Sequence, residues 1–384
     1  MIHLVIREPI AYQRTLCRAL DQHYRGDFLA WFAIGGESDF DARDQFQRRF
    51  LRETGFAKLF GALRADGKPV VILGGWSSQL AYKTLLITSA LRVPTLIWAD
   101  HPHPRERSLI FKKLRLIYLR FFSRRAVAFL ACGAPTVEHL ATLGIPRAKI
   151  FNLPYWVEVP TDWSAPTGVS EENPASKPLR LLAIGRLVSM KGFDVAIRAV
   201  ELANQSADRR VAELSIIGDG PELESLKQLV DSPGVGSSVT FKGRLDNSVV
   251  CEHLREADAV IVPSTFEPYG VVVLEALAHG RPVLASDQVI AALDRADESG
   301  AIRLHRVSDV NQLAAQIKML TDDRTDLHEA SDAARKIGEL WKPERAAQML
   351  QGILNERLGR EITSVDHDPE ELYQPNVQPT SNAS

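Results

Sequence analysis

The sequence predicts an α/β protein of two facing domains, each built on a parallel β-sheet, with a cleft between them. Three observations lead to this prediction. The chain has 384 residues, more than one hydrophobic core usually supports. Short apolar runs alternate with helical patterns along it, which is typical of βαβ units. Residues 161–178 are rich in Pro, Ser and Gly and are interpreted as a linker between the domains.

The predicted strands are short apolar runs bounded by polar or turn-forming residues. In the first half the clearest runs are His3–Ile6, Val70–Leu73, Thr95–Trp98 and Val127–Ala131. In the second half they are Leu181–Ile184, Leu214–Ile217, Val239–Lys242, Ala259–Val262, Val283–Ala285 and Ala301–Leu304. The first domain is therefore predicted over 1–160, completed by a C-terminal helix at 342–359, and the second over 179–341. The polar, acidic residues 361–384 are expected to form a disordered tail.

Composition narrows the class of protein. Hydrophobic residues make up 45% of the chain and charged residues 24%, as in ordinary globular proteins. Cys17, Cys132 and Cys251 lie far apart, without metal-ligand spacing, which suits a reducing compartment. The N-terminus lacks a signal-peptide pattern, and no apolar run approaches the roughly 20 residues of a membrane span. We expect a cytoplasmic protein without a nucleic-acid partner.

Charge is distributed unequally between the halves. Residues 1–160 contain 23 Lys and Arg against 13 Asp and Glu, whereas the remainder contains 23 against 35. In the stretch 105–125, basic side chains alternate with aromatic ones, and residues 45–60 repeat this mixture as a second helical pattern. Such helices suit the interface of an anionic membrane, although covering helices of a sheet explain the aromatic residues equally well. The predicted membrane face comprises Arg105, Arg107, Lys112, Lys113, Arg115 and Arg120.

The first candidate site motif runs from Leu181 to Phe193. A buried strand ends at Gly185, and Arg186 and Lys191 lie on the loop that leads into a helix. Two cations beside the free amides of a helix N-terminus form a pocket suited to a diphosphate. Because open α/β sheets bind ligands at the carboxyl ends of their strands, this position favours binding over a solvated surface.

The second motif, Leu214–Leu223, resembles a dinucleotide-binding loop only in part. Leu223 stands where the third glycine of G-x-G-x-x-G would be, and a proline begins the helix. A tight turn from strand to helix explains the motif, including Asp219, without a ligand. A nicotinamide-dependent dehydrogenase is therefore disfavoured.

The third motif, residues 259–286, joins a strand, a loop, a short helix and a second strand. Glu267 lies on the loop and Glu275 on the helix. Carboxylates suit sugar hydroxyls, and the unpaired amides at a helix start suit phosphate oxygens. The amides in question belong to Tyr269, Gly270, Val271 and Val272.

Together these motifs resemble the donor-binding domain of retaining glycosyltransferases of family four, which have the GT-B architecture of two facing Rossmann-like domains. Phe266–Gly270 followed by Glu275 is similar to their Glu-x7-Glu signature, and Gly185-Arg186 with Lys191-Gly192 is similar to their G-R-x4-K-G element. In the first half, Pro94–His101 looks like their strand followed by a histidine. The order and spacing of the donor-domain motifs match over residues 179–358.

The resemblance implies roles for individual residues. Arg186 and Lys191 would bind the donor diphosphate, Glu275 the ribose and Glu267 the donor sugar. The turn Gly243-Arg244-Leu245 would lie beside the nucleobase, and His101 near the donor sugar. The implied catalytic residues are Glu267, His101, Arg186 and Lys191. The implied donor-binding residues are Gly185, Arg186, Lys191, Arg244, Leu245, Glu267, Tyr269, Gly270, Val271 and Glu275.

Three departures from the family pattern concern the acceptor site and some sugar contacts. Arg7-Glu8-Pro9 follows the first strand in place of a glycine-rich loop. Asn152–Val157 replaces the usual Pro-Asn-Gly, and Ile290 stands at an expected glycine.

The function expected from this resemblance is transfer of a hexosyl group, with retained configuration, from a nucleotide-diphosphate sugar. A lipid-linked glycan or glycolipid precursor in cell-surface polysaccharide synthesis is the expected acceptor, at the cytoplasmic face of the membrane. No cofactor or metal is expected, since the cations supply positive charge and no carboxylate cluster is evident. Two alternatives remain: a catalytically silent sugar-nucleotide-binding subunit, and a sugar-nucleotide epimerase on the same architecture.

Overall fold

A computed structural model describes residues 1–76, 78–102, 121, 123–160, 177–232, 238–297 and 299–359. Within these ranges the strands form two sheets, one of seven strands and one of six, and every strand pair is parallel. Helices cover both faces of each sheet, which explains why the strands are continuous apolar runs. The predicted α/β architecture of two Rossmann-like domains is confirmed.

The first sheet has the strand order β3-β2-β1-β4-β5-β6-β7. Strand β1 lies between β2 and β4, and His3 is in register with Leu29 and Val71. The strands are β1 (Ile2–Ile6), β2 (Phe28–Phe32), β3 (Arg48–Phe50), β4 (Val70–Gly74), β5 (Thr95–Ala99), β6 (Ala128–Ala131) and β7 (Ile150–Asn152). The helices of this part are α1 (Ala11–His23), α2 (Leu51–Ala65), α3 (Gln79–Ala90) and α4 (Ala134–Thr142).

One helical prediction in the first domain is wrong. Residues 45–60 do not form one helix, because Arg48–Phe50 pairs with β2 as the edge strand β3. The helix α2 begins only at Leu51 and is interrupted at Gly55, whose φ is 71°. The six residues of the predicted membrane face, Arg105, Arg107, Lys112, Lys113, Arg115 and Arg120, lie outside the described residues, as do the predicted tail and most of the linker.

The second sheet has the strand order β10-β9-β8-β11-β12-β13, and all six strands predicted for this half are present. The strands are β8 (Leu179–Ile184), β9 (Ala212–Ile217), β10 (Val239–Gly243), β11 (Ala259–Val262), β12 (Val283–Ser286) and β13 (Ile302–His305). The helices are α5 (Phe193–Gln205), α6 (Leu223–Val230), α7 (Asn247–Glu256), α8 (Val271–Ala278), α9 (Ile290–Arg295), α10 (Val310–Asp322) and α11 (Arg324–Glu339).

The last described helix, α12 (Pro343–Leu358), leaves the second domain and packs against α1 of the first. Leu16 and Leu20 of α1 share a buried apolar cluster with Leu350 and Leu354 of α12. The chain therefore passes between the domains twice. None of the helices in the described ranges combines the length and apolar character needed to span a bilayer.

Two of the departures from the family pattern meet at a contact between the domains. Asp294 of α9 accepts hydrogen bonds from the Ala134 amide at 2.7 Å and from Asn152 Nδ2 at 3.3 Å. Ile290 lies so close to Gly133 that a Cβ added to this glycine would be 3.0 Å from Ile290 Cγ2. Asn152 and Ile290 thus help to hold α9 against the start of α4, and a glycine at position 290 would have no side chain for this contact.

Candidate active site

Loops at the carboxyl ends of β8, β9 and β10 surround a cavity of about 510 Å³. Gly218, with φ of 144°, allows these loops to approach closely, since a Cβ there would lie 1.8 Å from the Gly185 carbonyl oxygen. The Gly185 amide in turn donates to the Ile217 carbonyl oxygen at 3.0 Å. The lining residues are Ile184, Gly185, Arg186, Ile217, Gly218, Asp219, Gly220, Arg244, Leu245 and Val250.

The Gly218-Asp219-Gly220 turn packs closely against a neighbouring loop and also lines the 510 Å³ cavity. Close backbone packing requires its first glycine, as the interpretation of a tight turn predicted. The turn also lines the cavity beside Arg186 and Arg244, a position that the sequence argument did not assign to Asp219. The position of Asp219 just after a parallel strand could have identified it as a residue of the site.

A second cavity of about 340 Å³ adjoins the first, and both are lined by Ile184 and Gly185. It lies between the domains, because it is bordered by the carboxyl end of β5 on one side and by the loop before α8 on the other. The lining residues are Tyr12, Asp100, Tyr155, Ile184, Gly185, Lys191, Glu267, Pro268, Tyr269, Gly270, Val271 and Val272.

Lys191 and Glu267 form an ion pair at this second cavity, with Lys191 Nζ donating to Glu267 Oε2. Their side chains are 24% and 12% exposed, so both can reach a ligand. The Glu267 amide donates to the Gln288 carbonyl oxygen at 3.0 Å, which fixes the loop against the segment after β12. The predicted phosphate-binding cation and sugar-binding carboxylate are therefore neighbours.

The backbone amides at the N-terminus of α8 belong to residues that line the same cavity. Gly270 caps the helix with φ of 102°, and an added Cβ would lie 2.9 Å from Val289 Cγ1. Among the described residues, no acceptor is found for the four amides from Tyr269 to Val272. Unpaired amides and the positive end of a helix attract anions, so the start of α8 suits phosphate oxygens.

Glu275 lies deeper in α8 and lines neither cavity. Burial raises the pKa of its carboxyl group from 4.5 to about 7. Within the described ranges it has no ion-pair partner. The carboxyl group of Glu275 is one cause of the raised pKa of the Cys251 thiol on α7. Val250, the residue before Cys251, lines the 510 Å³ cavity, so Glu275 acts on the side of the domain where this cavity lies.

His101 lies near the cleft but also lines neither cavity. Its ring centroid is 6.3 Å from that of Phe266 in the second domain and 5.2 Å from that of His139. Burial, with a smaller contribution from His139, lowers the pKa of His101 to about 4. The imidazole is therefore neutral at pH 7.

The structure brings most of the predicted site residues together. The 340 Å³ cavity contains Gly185, Lys191, Glu267, Tyr269, Gly270 and Val271, and the 510 Å³ cavity contains Gly185, Arg186, Arg244 and Leu245. Three residues of the first domain that also line the cleft were not predicted: Tyr12, Asp100 and Tyr155. Asp100 lies two residues after the predicted strand Thr95–Trp98, so the rule that ligands bind at strand carboxyl ends could have found it.

Two Rossmann-like domains with a cavity between them define the GT-B fold, and solved structures share this fold. HepE from Anabaena in complex with UDP matches with a TM-score of 0.75 and 17% identity, covering 92% of this chain and 99% of that one. Sucrose-phosphate synthase from Thermosynechococcus elongatus matches with a TM-score of 0.67 and 20% identity, covering 92% and 98%.

Residues 169–337 match the family model of glycosyl transferases group 1. The lipopolysaccharide core biosynthesis glycosyltransferase LpsD of Rhizobium meliloti is 36% identical over 143 residues, which are 37% of this chain and 39% of LpsD. The glycogen synthase of Mycobacterium tuberculosis is 32% identical over 164 residues, 42% of this chain and 39% of the synthase. The chain thus spans about two fifths of the length of these relatives.

Proposed function

We propose that this protein is a retaining glycosyltransferase that moves a sugar from a nucleotide-diphosphate sugar to an acceptor hydroxyl. The observation that carries the proposal is the meeting of Lys191, Glu267 and the unpaired amides of α8 at one cavity between the domains. The match of residues 169–337 to the family model of glycosyl transferases group 1 supports it, as does the fold shared with HepE, which has been solved with UDP and with UDP-glucose.

In the proposed reaction, the nucleoside occupies the 510 Å³ cavity beside Arg244 and Leu245, and the sugar occupies the 340 Å³ cavity beside Glu267. The diphosphate lies between them, where Lys191 exchanges its bond to Glu267 for one to a phosphate oxygen. As the sugar leaves, negative charge grows on the β-phosphate, and preorganised cations and amides stabilise that charge. This arrangement supplies the electrostatic work that a divalent ion performs in other transferases.

The test is a thermal-shift screen of UDP, GDP, ADP and their sugars in the presence of EDTA. Ligand at 100 times its Kd raises stability by about 2.7 kcal/mol, which is readily detected. We expect one nucleotide to raise the Tm without added metal, because no group of three or more potential metal ligands occurs in the described residues. Binding and turnover that disappear in EDTA and return with Mg²⁺ or Mn²⁺ would contradict the metal-independent mechanism.

A catalytically silent sugar-nucleotide-binding subunit is the second candidate. It is favoured by the altered loop Arg7-Glu8-Pro9 and by Ile290, whose side chain serves packing at the domain contact. Slow hydrolysis of the bound donor by the purified protein distinguishes the two, because a silent subunit would bind the nucleotide sugar and leave it intact.

We further propose that the acceptor is lipid-linked, as in cell-surface polysaccharide synthesis, and that the first domain attaches to an anionic cytoplasmic leaflet. Its excess of basic residues supports this. The neighbouring helices α2 and α3 also expose apolar side chains beside Lys58 and Lys83: Phe60 is 38% exposed, Tyr82 44% and Leu86 64%. Exposed apolar groups among cations are typical of surfaces that bind the membrane interface.

Liposome co-sedimentation tests this attachment. Binding is expected to require anionic lipid and to weaken with salt. Reversing Lys112, Lys113 and Arg115 to Glu should lower the partition coefficient at least 10²-fold, since each cation contributes about 1 kcal/mol. Leu86→Glu should also weaken binding, whereas the matched control Met319→Glu, at a 57% exposed position of the second domain, should not. Indifference to anionic vesicles at low salt would indicate an acceptor that is not membrane-bound.

A further inference from the structure

A half-buried carboxylate of the first domain faces the proposed donor-binding groups across the cleft. Asp100 is the first residue after β5 and lines the 340 Å³ cavity opposite Lys191 and Glu267. Tyr155 Oη donates a hydrogen bond to Asp100 Oδ1 at 2.6 Å. Tyr155 is itself held between the two domains, with its ring centroid 4.5 Å from Tyr12 and 5.3 Å from Tyr269.

Asp100 differs from the buried carboxylates Asp44 and Asp258 in its partners. Asp44 is paired with Arg14 and Arg18, and Asp258 is paired with Arg180. Within the described ranges, Asp100 forms no ion pair, and its hydrogen bonds come from the neutral groups of Tyr155 and Cys132. Burial raises its pKa above the usual range. Burying a carboxylate without a cation costs stability, and such groups concentrate at functional sites.

The hydrogen-bond acceptor positions of this carboxylate that remain unused suit a hydroxyl group. An ionised carboxylate only accepts hydrogen bonds and offers about four lone-pair positions, of which Tyr155 and the Cys132 thiol use two. Repulsion disfavours a phosphate there, and the cations that suit phosphate lie on the opposite wall. A sugar hydroxyl satisfies the remaining positions without adding charge.

We propose that Asp100 binds a hydroxyl of the acceptor and directs it towards the sugar held beside Glu267, with Tyr155 as the residue that positions Asp100. The inference rests on the proposed transferase function. It assigns the hydroxyl to the acceptor rather than the donor because Asp100 and Tyr155 belong to the wall of the cavity opposite the phosphate-binding groups.

The experiment compares the wild type with Asp100→Asn, whose amide oxygen can still accept the Tyr155 hydrogen bond. UDP-glucose is the donor probe, with water as one acceptor and n-octyl β-glucoside as the other. We expect hydrolysis and transfer to fall about 10²-fold, since a positioned carboxylate contributes on that order, while the Kd for UDP stays within twofold. Tyr155→Phe should lower the same rates about 10-fold, with the main change in the apparent KM for the octyl glucoside.

Stability supplies a readout that separates binding from a merely structural role. Asp100→Asn removes a desolvated charge that has no ion-pair partner in the described residues, so its Tm should equal or exceed that of the wild type. The matched control is Asp66→Asn, in the same domain at the opposite end of the sheet, where Asp66 bonds to His3 at 3.2 Å. It should leave hydrolysis and transfer unchanged.

Three results would overturn the inference: unchanged rates in Asp100→Asn, a loss of rate that accompanies a lowered Tm, or a weakened Kd for UDP. The last would place Asp100 against the donor instead. Failure of the wild type to bind any nucleotide diphosphate would contradict the proposed function itself and the inference with it, so the two failures are distinguishable.

Discussion

Replacing Lys191 with alanine is expected to lower kcat about 10²- to 10³-fold while the Tm changes by only a few degrees. The loss follows from removing a cation at the point where charge develops on the leaving phosphate. The structure adds a second cause, because Glu267 then remains beside the phosphate site without its ion-pair partner. Single-turnover measurements with saturating donor would report the chemical step directly.

The matched control for this variant is Lys227→Ala. Lys227 also pairs with a glutamate of the second domain, Glu224 at 3.0 Å, but it lies on the exposed face of α6. Exposed pairs of this kind contribute little to stability, so its turnover and Tm should resemble those of the wild type. Normal turnover in Lys191→Ala would reject the assignment of Lys191 to the donor site.

Replacing Glu275 with glutamine is expected to change binding and stability in opposite directions. If the carboxylate accepts hydrogen bonds from the ribose, as the family resemblance implies, the variant should bind the nucleotide about 10²-fold more weakly, because a hydrogen bond to a charged group contributes about 1.5–3 kcal/mol. Titration calorimetry at pH 8 measures this loss.

The stability effect of Glu275 follows from its raised pKa. With a pKa of about 7 in the folded protein and 4.5 when unperturbed, the stability associated with its neutral form is present below pH 4.5 and is lost as the pH rises through 7. The glutamine variant escapes this loss, so at pH 8 it should be more stable by up to about 3 kcal/mol, at about 1.4 kcal/mol per pKa unit.

Nucleotide affinity of the wild type should also fall below pH 7, as Glu275 becomes protonated, whereas that of Glu275→Gln should be flatter over the same range. Glu201→Gln on α5, where Glu201 is bonded to Gln205 outside the site, serves as the control. Equal affinity of Glu275→Gln and the wild type at pH 8 would remove Glu275 from the donor site.

Most of the fold could be predicted because strands buried on both faces are continuous apolar runs. Ala-Val-Ile-Val of β11 illustrates this, since all four residues are buried. The strands β3 and β7 carry no such signal. Each has three residues at a sheet edge, and the sequence Arg-Arg-Phe of β3 can be recognised as a strand only from its pairing with β2. That is why residues 45–60 were wrongly interpreted as one helix.

In the candidate site, too, some residues could be predicted from local sequence motifs and others depend on contacts between distant parts of the chain. Motif spacing and resemblance predicted residues that line the two cavities, because most of them belong to the loops that follow β8, β10 and β11. The bond between Asp100 and Tyr155 joins residues 55 positions apart and depends on how two strand ends of the first sheet lie together. The spacing of residues along the sequence does not predict that Asp100 and Tyr155 lie within hydrogen-bond distance. His101 was singled out by the same resemblance, yet its ring packs near His139 and Phe266 and lines neither of the two cavities described above.

The packing of α12 against α1 has a consequence for the order of events during synthesis. Leu20 emerges from the ribosome early, but its buried neighbour Leu350 follows only after about 330 further residues. At roughly 5–20 residues per second, that delay is on the order of 20–70 s. During that interval the apolar side of α1 has no α12 to cover it. The first domain is therefore translated before the second, but its apolar core is completed only after the second domain and α12 have been translated.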